Sequence, residues 1–291
     1  MLETTKLILT SDLHQWITKW KELIGVVAEV RPRFVLVAGD LLPKHGGHAE
    51  QRGFFPALRR YLVQMREAAP VTVLLFLGND DHHILEPLLD ELASEGLCVN
   101  LAGRVYRESG LVFCGMNKVR DHPFGYKHWC ARDGDFTTCP TQFCGQGLTL
   151  DETGAYVPLP SLEQYLAEKP SLGEELERVA IRLEDGEMDR SIWMVHQPPA
   201  ALGMDLCGHG ERVGSPTLLD FIREKQPLLG LSGHIHESPH QPGGAWAARV
   251  GRTWWFQPGQ LDRRFHYVLA ELDGGLQLTS ARHSLLGEFG P

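Results

Sequence analysis

Five short clusters of Asp, His and Asn punctuate this 291-residue chain: Asp12-Leu13-His14, Gly39-Asp40, Gly78-Asn79-Asp80-Asp81, His196 and Gly233-His234-Ile235-His236. Each follows an apolar run that reads as a β-strand, at residues 6–10, 34–38, 71–77, 191–195 and 228–232. A lone Asp after a strand is commonly a helix N-cap, and a lone His is commonly structural. Five such clusters together supply the carboxylate, amide and imidazole donors of a two-metal site. Residues i and i+2 of an extended segment point the same way. Asp12 therefore reaches a common centre with His14, and His234 with His236. Glycines 39, 78 and 233 let the backbone turn beside that centre with no Cβ in the way. This donor mixture suits Mn, Fe, Zn or Co better than Ca.

Open α/β sheets bind ligands outside the carboxyl ends of their strands, so the elements carrying these clusters matter next. The first hundred residues alternate: strand 6–10, helix 16–30, strand 34–38, a Pro/Gly loop at 42–47, helix 55–68, strand 71–77, and a shorter helix 84–94 ending at Gly96. This β-α-β-α-β rhythm calls for right-handed crossovers and a partly parallel sheet. Unbroken apolar strands mean that both sheet faces are covered. Short strands follow at 97–100, 105–108 and 111–115. From about 118 to 189 the rhythm is lost, and a charged helix lies near 172–183. That span reads as an inserted lid-like segment within a single domain covering 1–291. Order returns with strand 191–195, helix 216–224 and strand 228–232, then β segments at 245–250, 253–256, 265–271 and 277–281. Asp273-Gly274-Gly275 supplies a hairpin turn between the last two.

Composition narrows the partners. Hydrophobic residues make up 43%, enough for a sizeable core, and the formal net charge is -9. A nucleic-acid binder shows a basic face, whereas no long Lys/Arg run occurs here. No run of 18 apolar residues suggests a membrane span. The N-terminus leads straight into a strand with no signal-peptide pattern. The six cysteines are irregularly spaced, none in C-x-x-C. A cytoplasmic protein with reduced thiols is expected, and a homo-oligomer is compatible with all of this.

Taken in order, D-x-H, G-D, G-N-x-[DE], H and G-H-x-H resemble the calcineurin-like metallophosphoesterase superfamily, with motifs running from Asp12 to Gln260. The stretch Gly214-Ser215-Pro216-Thr217-Leu218-Leu219 is similar to its small prokaryotic-type phosphoesterases. The resemblance implies an α/β fold, a four-layer α/β/β/α sandwich of two mixed β-sheets. It implies that Asp12, His14 and His236 bind one metal, that Asn79, His196 and His234 bind the other, and that Asp40 bridges them. The implied cofactors are two divalent or mixed-valence ions, Mn, Fe or Zn. Ions roughly 3.5–4 Å apart lower the pKa of a shared water and clamp an in-line displacement. The implied reaction is direct attack of a metal-bridging hydroxide on a small-molecule phosphoester. No G-x-S-x-G elbow or G-x-x-x-x-G-K-[ST] loop offers a competing chemistry.

The chain departs from the family's pattern in places that bear on activity. Asp80 stands where G-N-H-[DE] has its His. An ordinary Asp is ionised at pH 7, and two adjacent cations would keep it so. The expected catalytic set is Asp40, Asn79, Asp80 and His82, with His83 as a second candidate donor, in a site poor in general acid. Such a site favours good leaving groups, hence a phosphodiesterase over a phosphomonoesterase. The phosphate-gripping Arg of the protein-phosphatase branch is missing from Gly39-Asp40-Leu41-Leu42-Pro43-Lys44, and Lys44 reads as solvated. Gln257-Pro258-Gly259-Gln260 replaces the family's N-P-G and reads as support for the ligand loops. In the insertion, His128, Cys130, Cys139 and Cys144 lack close-pair zinc spacing, so buried thiols are expected, with a structural zinc as the alternative. Phe124, Tyr126, Trp129 and Phe136 read as the lid's small core, and Trp254-Trp255-Phe256 as sheet core. Two rival functions stand beside the enzyme: a non-catalytic metal-binding scaffold of the same fold, and a nuclease, which would need a basic groove.

Overall fold

The computed structural model describes residues 4–45, 47–134, 146–261 and 263–289. In chain order the elements are β1 (Thr5–Thr10), α1 (Ile17–Val30), β2 (Phe34–Val37), α2 (Gly47–Ala68), β3 (Thr72–Leu75), α3 (Glu86–Ser94), β4 (Val99–Asn100), β5 (Val105–Glu108) and β6 (Leu111–Met116). There follow β7 (Leu148–Leu150), β8 (Tyr156–Pro158), α4 (Leu162–Ala167), α5 (Leu172–Ala180), β9 (Ser191–Val195), α6 (Pro216–Lys225) and β10 (Leu229–Leu231). The chain closes with β11 (Ala247–Val250), β12 (Thr253–Phe256), β13 (Val268–Leu272), β14 (Leu278–His283) and β15 (Gly287–Phe289).

Strand pairing builds two mixed sheets, ordered β15-β14-β13-β1-β2-β3-β4 and β11-β12-β10-β9-β6-β5, plus the small β7-β8 ribbon. β1 to β4 run parallel, as do β6, β9, β10 and β12, and antiparallel strands flank both groups. Alternation of side chains along each strand explains the layers. Leu7, Leu9, Leu36 and Leu74 of the first sheet meet Phe113, Ile192, Met194 and Phe256 of the second in a shared core. The alternate residues Ile8, Val35, Val37 and Leu75 face Trp20, Leu62, Met65 and Leu89 of the helices. On the far side Cys114, Trp193, Val195 and Trp255 pack on Leu176, Leu218 and Ile222. Both faces of each sheet are thus covered, which is the four-layer sandwich. Adjacent Trp255 and Phe256 are fully buried on opposite faces, one in each core.

Two sequence expectations need correction. The helix expected at 55–68 begins at Gly47, with Pro56 inside it rather than at its start. Proline costs one helical hydrogen bond there, yet the extra turns bring buried Gln51 to the site. Its amide donates to Pro43 O (2.9 Å) and Asp80 O (2.8 Å) and accepts from His82 N (2.8 Å). The helix expected at 84–94 starts as a single 3-10 turn, His83–Leu85, before α3. The 118–189 span is divided in character. Its α5 carries a full capping box at Ser171 and Glu174 and buries Leu172, Leu176 and Val179 in the outer helical layer. Among the described residues of the span, Arg120 to Phe124, Tyr126 and Tyr156 border the cavities beside the ligand clusters. Among the described residues, no helix is long and apolar enough to cross a membrane.

Candidate active site

The parallel strands of both sheets end along one edge, and their following loops meet there. Backbone bonds lock the loops together: Asp12 N donates to Gly39 O (3.0 Å), His14 N to Asp40 O (2.8 Å), and Gly233 N to His196 O (3.1 Å). Other contacts cross between the sheets. His196 Nδ1 lies 2.6 Å from Ala38 O, and His234 N donates to the Asp12 carboxylate at 3.1 Å. The Trp20 indole donates to His14 O at 3.0 Å, so α1 helps fix the first loop.

Four residues of the clusters hold positive φ: Asp12 (55°), His14 (46°), Asp40 (53°) and His234 (72°). Non-glycine residues rarely adopt this region, and such strain concentrates at functional sites. Close approach also explains two glycines. A Cβ at Gly78 would sit 2.3 Å from Asp40 Oδ1, and one at Gly39, itself at φ 89°, would sit 2.6 Å from His196 Nδ1.

These constraints converge the donors. One ligating atom from each of Asp12, His14, Asp40 and His236 lies within 4.8 Å of the others. His14 Nε2 and His236 Nε2 are 3.4 Å apart. Beside them, Asn79 Oδ1 is 2.8 Å from His196 Nε2 and 2.5 Å from His234 Nδ1, and His196 Nε2 is 3.6 Å from Asp40 Oδ2. Asp40 lies between the two groups, 4.0 Å from His14 Nε2 on the other side. All seven residues expected as ligands are therefore brought together.

Electrostatics follows from two buried carboxylates among imidazoles. Burial opposes the charge on Asp12, but His236 and His196 pull its carboxyl down to about 2. Burial likewise opposes the charge on His196, while Asp40 and Asp12 raise it to about 9. His14 is lowered to about 4, chiefly by burial, and burial with His196 and His122 drives His234 well below its ordinary value. The carboxylates thus call for positive charge at the centre.

The expected catalytic neighbours are placed unequally. Asp80 accepts from Asn79 Nδ2 at 3.0 Å through Oδ1 and pairs with Lys44 Nζ at 3.0 Å through Oδ2. Burial and Asp40 push its carboxyl upward, and Lys44 opposes them. Lys44, expected as a solvated side chain, is therefore an ion-pair partner at the site. Asp81 is structural: it accepts from Leu41 N, Leu42 N and Gly78 N at 2.8–2.9 Å and clips two loops together. His82 borders a small cavity of about 90 Å³ with Asn79, Asp80 and Lys44, and its Nε2 lies 2.9 Å from the Tyr156 hydroxyl. His83 does not border it; Nδ1 meets the Tyr126 hydroxyl at 2.6 Å and the ring stacks on His128.

A larger cavity of about 220 Å³ adjoins the centre, bordered by Asp40, Asn79, His122, Phe124, His234 and His236. His122 was not singled out by the sequence reading. It lies six residues beyond β6, whose carboxyl end lies beside that of β9, and this shared edge is the signal that could have found it. Burial, then Lys127, lowers its imidazole to about 3. In the span after β6, Trp129 is buried in the core shared by the first sheet and its helices and donates to Asp81 O at 2.6 Å, and partly buried Tyr126 packs against the same core. Phe124 is 52% exposed instead, at the mouth of the cavity. Cys130 is buried in a small cluster with Val119 and Leu166. Phe136, Cys139 and Cys144 lie outside the described residues.

Solved structures share this architecture at low identity. A dimetal phosphatase from Danio rerio aligns with TM-score 0.54 and 12% identity, covering 98% of this chain and 96% of that one. Purple acid phosphatase from yellow lupin (Lupinus luteus) seeds gives 0.52 and 10%, covering 99% of this chain and 54% of that one. GAP50, the anchor in the inner membrane complex of Plasmodium, gives 0.51 and 10%, covering 99% and 88%. No curated protein sequence matches the chain. The sequence profile of the calcineurin-like phosphoesterases matches residues 5–238, from β1 past the last of the ligand clusters. The chain belongs to the calcineurin-like phosphoesterase family, a metal-dependent phosphoester hydrolase by its family and by the donors gathered at its strand ends.

Proposed function

We propose that the protein is a dinuclear phosphodiesterase acting on small phosphodiesters with good leaving groups, such as aryl esters. The observation that carries the diester preference is Asp80, a carboxylate beside Asn79 with both oxygens engaged as acceptors. A second charge on a monoester within about 6 Å of it costs on the order of 2–3 kcal/mol at an effective dielectric near 20, before Lys44 offsets part. Arg120 borders the same cavity but donates to Gly214 O at 2.8 Å and leans toward Asp133, so it does not serve as a phosphate clamp.

Asp12, His14 and His236 would hold one ion, Asn79, His196 and His234 the other, and Asp40 both. The donor set fits: mixed carboxylate, amide and imidazole groups suit Mn, Fe or Zn, and they already face one another at 2.5–4.0 Å. When bound, such a pair supplies an activated water at neutral pH and a clamp on phosphoryl oxygens. The chain's own residues orient that chemistry. Asp80 fixes the Asn79 amide so that its oxygen, not its nitrogen, faces His196 and His234. Ala38 O fixes His196 by receiving its Nδ1–H, leaving Nε2 to act as donor to a metal.

The test is a panel of bis(4-nitrophenyl) phosphate, 4-nitrophenyl phosphate and single-stranded DNA, assayed with Mn, Fe, Zn and Mg after chelation. The aryl diester should be turned over best, with Mn, Fe or Zn. Preference for the monoester would sink the diester assignment, DNA cleavage would favour the nuclease, and no turnover with any metal would favour a scaffold.

A further inference from the structure

The wall facing the ligand clusters carries a hydrogen-bond donor that meets no acceptor. His122 is 5% exposed. Its Nδ1 accepts the Phe124 N–H at 3.2 Å, so that nitrogen holds a lone pair and the ring proton sits on Nε2. Nε2 is buried, and no described residue accepts from it. Leaving a buried donor unmade is costly, and native proteins seldom carry that cost without a use.

The position is braced on both sides. His122 N donates to Asp121 Oδ1 at 2.9 Å, and the same carboxylate oxygen takes the Lys127 ammonium at 2.6 Å. Lys127 also donates to His122 O. One loop connects this pair to both sheets, because Asn117 Nδ2 donates to Leu77 O (2.9 Å) and Arg120 N to Gln197 Oε1 (2.9 Å). A buried ion pair rarely adds net stability; here it pins the backbone that carries the imidazole.

The ring borders the two cavities described above, alongside Asn79 in each. Its centroid is 6.2 Å from that of His234. Of the Lys and Arg side chains bordering these two cavities, Lys44 pairs with Asp80 and Arg120 donates to Gly214 O.

We propose that His122 is a catalytic residue whose neutral Nε2–H donates a hydrogen bond to a phosphoryl oxygen of the ester. A fixed donor aimed at developing charge in a water-poor site stabilises the transition state without reorganising. No proton leaves the ring and no covalent bond forms to it. It supplies the donor that Asp80, at the family's His position, does not. The inference rests on the phosphoesterase reading.

The experiment compares native protein, His122→Phe and His122→Gln, all Mn-loaded. Turnover of bis(4-nitrophenyl) phosphate is measured, together with calorimetric titration by inorganic phosphate. Phe keeps the ring's bulk and removes the donor, and Gln restores an N–H near the Nε2 position. In His122→Phe, kcat should fall on the order of 10²-fold, the loss typical of one deleted donor. Its Mn content should be unchanged and its phosphate affinity clearly weaker, with Gln recovering a substantial part of both. Native-like kcat and phosphate affinity in folded, Mn-loaded His122→Phe would overturn the proposal. Equal losses in Phe and Gln accompanied by lost Mn would also overturn it, by showing a packing role. If native protein turns over no ester, the phosphoesterase reading fails on its own. The phosphate titrations then still decide His122: weaker binding in His122→Phe supports it, and equal binding refutes it.

Discussion

The Asn79 amide nitrogen donates to Asp80 Oδ1 at 3.0 Å, and this turns Asn79 Oδ1 toward His196 and His234. Asp80 therefore orients a candidate ligand instead of donating a proton. Outer partners of this kind tune metal affinity by about 10–100-fold. Asp80→Ala should weaken Mn binding by that order, measured by competition with a chelator. Asp80→Asn retains an oxygen for the Asn79 amide and should retain most of the affinity. Equal loss in both variants would refute the orienting role.

Gly78 tests how tightly the loops must pack. Its added Cβ would collide with both Oδ1 and the backbone nitrogen of Asp40, at 2.3 and 2.4 Å, and neither can swing away like a flexible side-chain end. Gly78→Ala should cost about 1–3 kcal/mol of stability, the usual overpacking range, and remove most bound metal. Denaturant melting and elemental analysis check both. An unchanged melt with full metal would show that the two loops separate easily.

Two aromatic residues of the insertion should behave oppositely. Trp129 is buried and bonded to Asp81 O, so Trp129→Ala should cost about 3–5 kcal/mol. Phe124, half exposed at the cavity mouth, should leave the melting temperature nearly unchanged when replaced by Ala while raising KM for aryl esters. A Phe124→Ala variant with native KM would place it outside the substrate path.

His283, at the end of β14, sets a pH dependence of its own. Its Nε2 donates to Pro258 O (2.8 Å), and Nδ1 accepts from Leu285 N and Leu286 N (3.0 and 3.1 Å). Burial, helped by nearby His240, lowers the imidazole to about 4. The folded chain thus binds this proton less readily than the unfolded chain. The neutral ring's contribution is full above about pH 6.5 and is lost as pH falls toward 4, by up to about 3 kcal/mol. Native protein should lose stability across that window, and His283→Gln should flatten the loss. Parallel pH profiles for the two would assign the acid sensitivity elsewhere.

The ligand clusters were legible because each directly follows an apolar strand and mixes carboxylate, amide and imidazole donors. The extended i, i+2 geometry expected of them does not hold, because Asp12, His14 and His234 take positive φ and tight loops gather the donors instead. The strands that were expected match the structure to within three residues at each end because they are apolar runs, whereas the short strands β7, β8 and β15 were not expected. What escaped the reading depends on contacts distant in sequence. Lys44 looked solvated because its partner Asp80 comes 36 residues later. The first turns of α2 looked like loop beside Gly46 and Gly47, while Gln51 is held by tertiary bonds to Pro43, Asp80 and His82. His122 has no i+2 companion ligand, and only the parallel pairing of β6 with β9 brings it to the shared edge. Helix α5 was visible as a charged helix, but its place in the outer layer rests on packing against α6 and β6.

Metal stoichiometry coupled to turnover is the most direct measurement of the central claim. Chelated protein titrated with Mn should bind two ions per chain, and aryl diester hydrolysis should appear only as the second is taken up. Asp40→Asn should lose most of both, because that carboxylate lies between the two donor groups. Full turnover with one ion per chain, or an Asp40→Asn variant that keeps two ions and native activity, would contradict the dinuclear account.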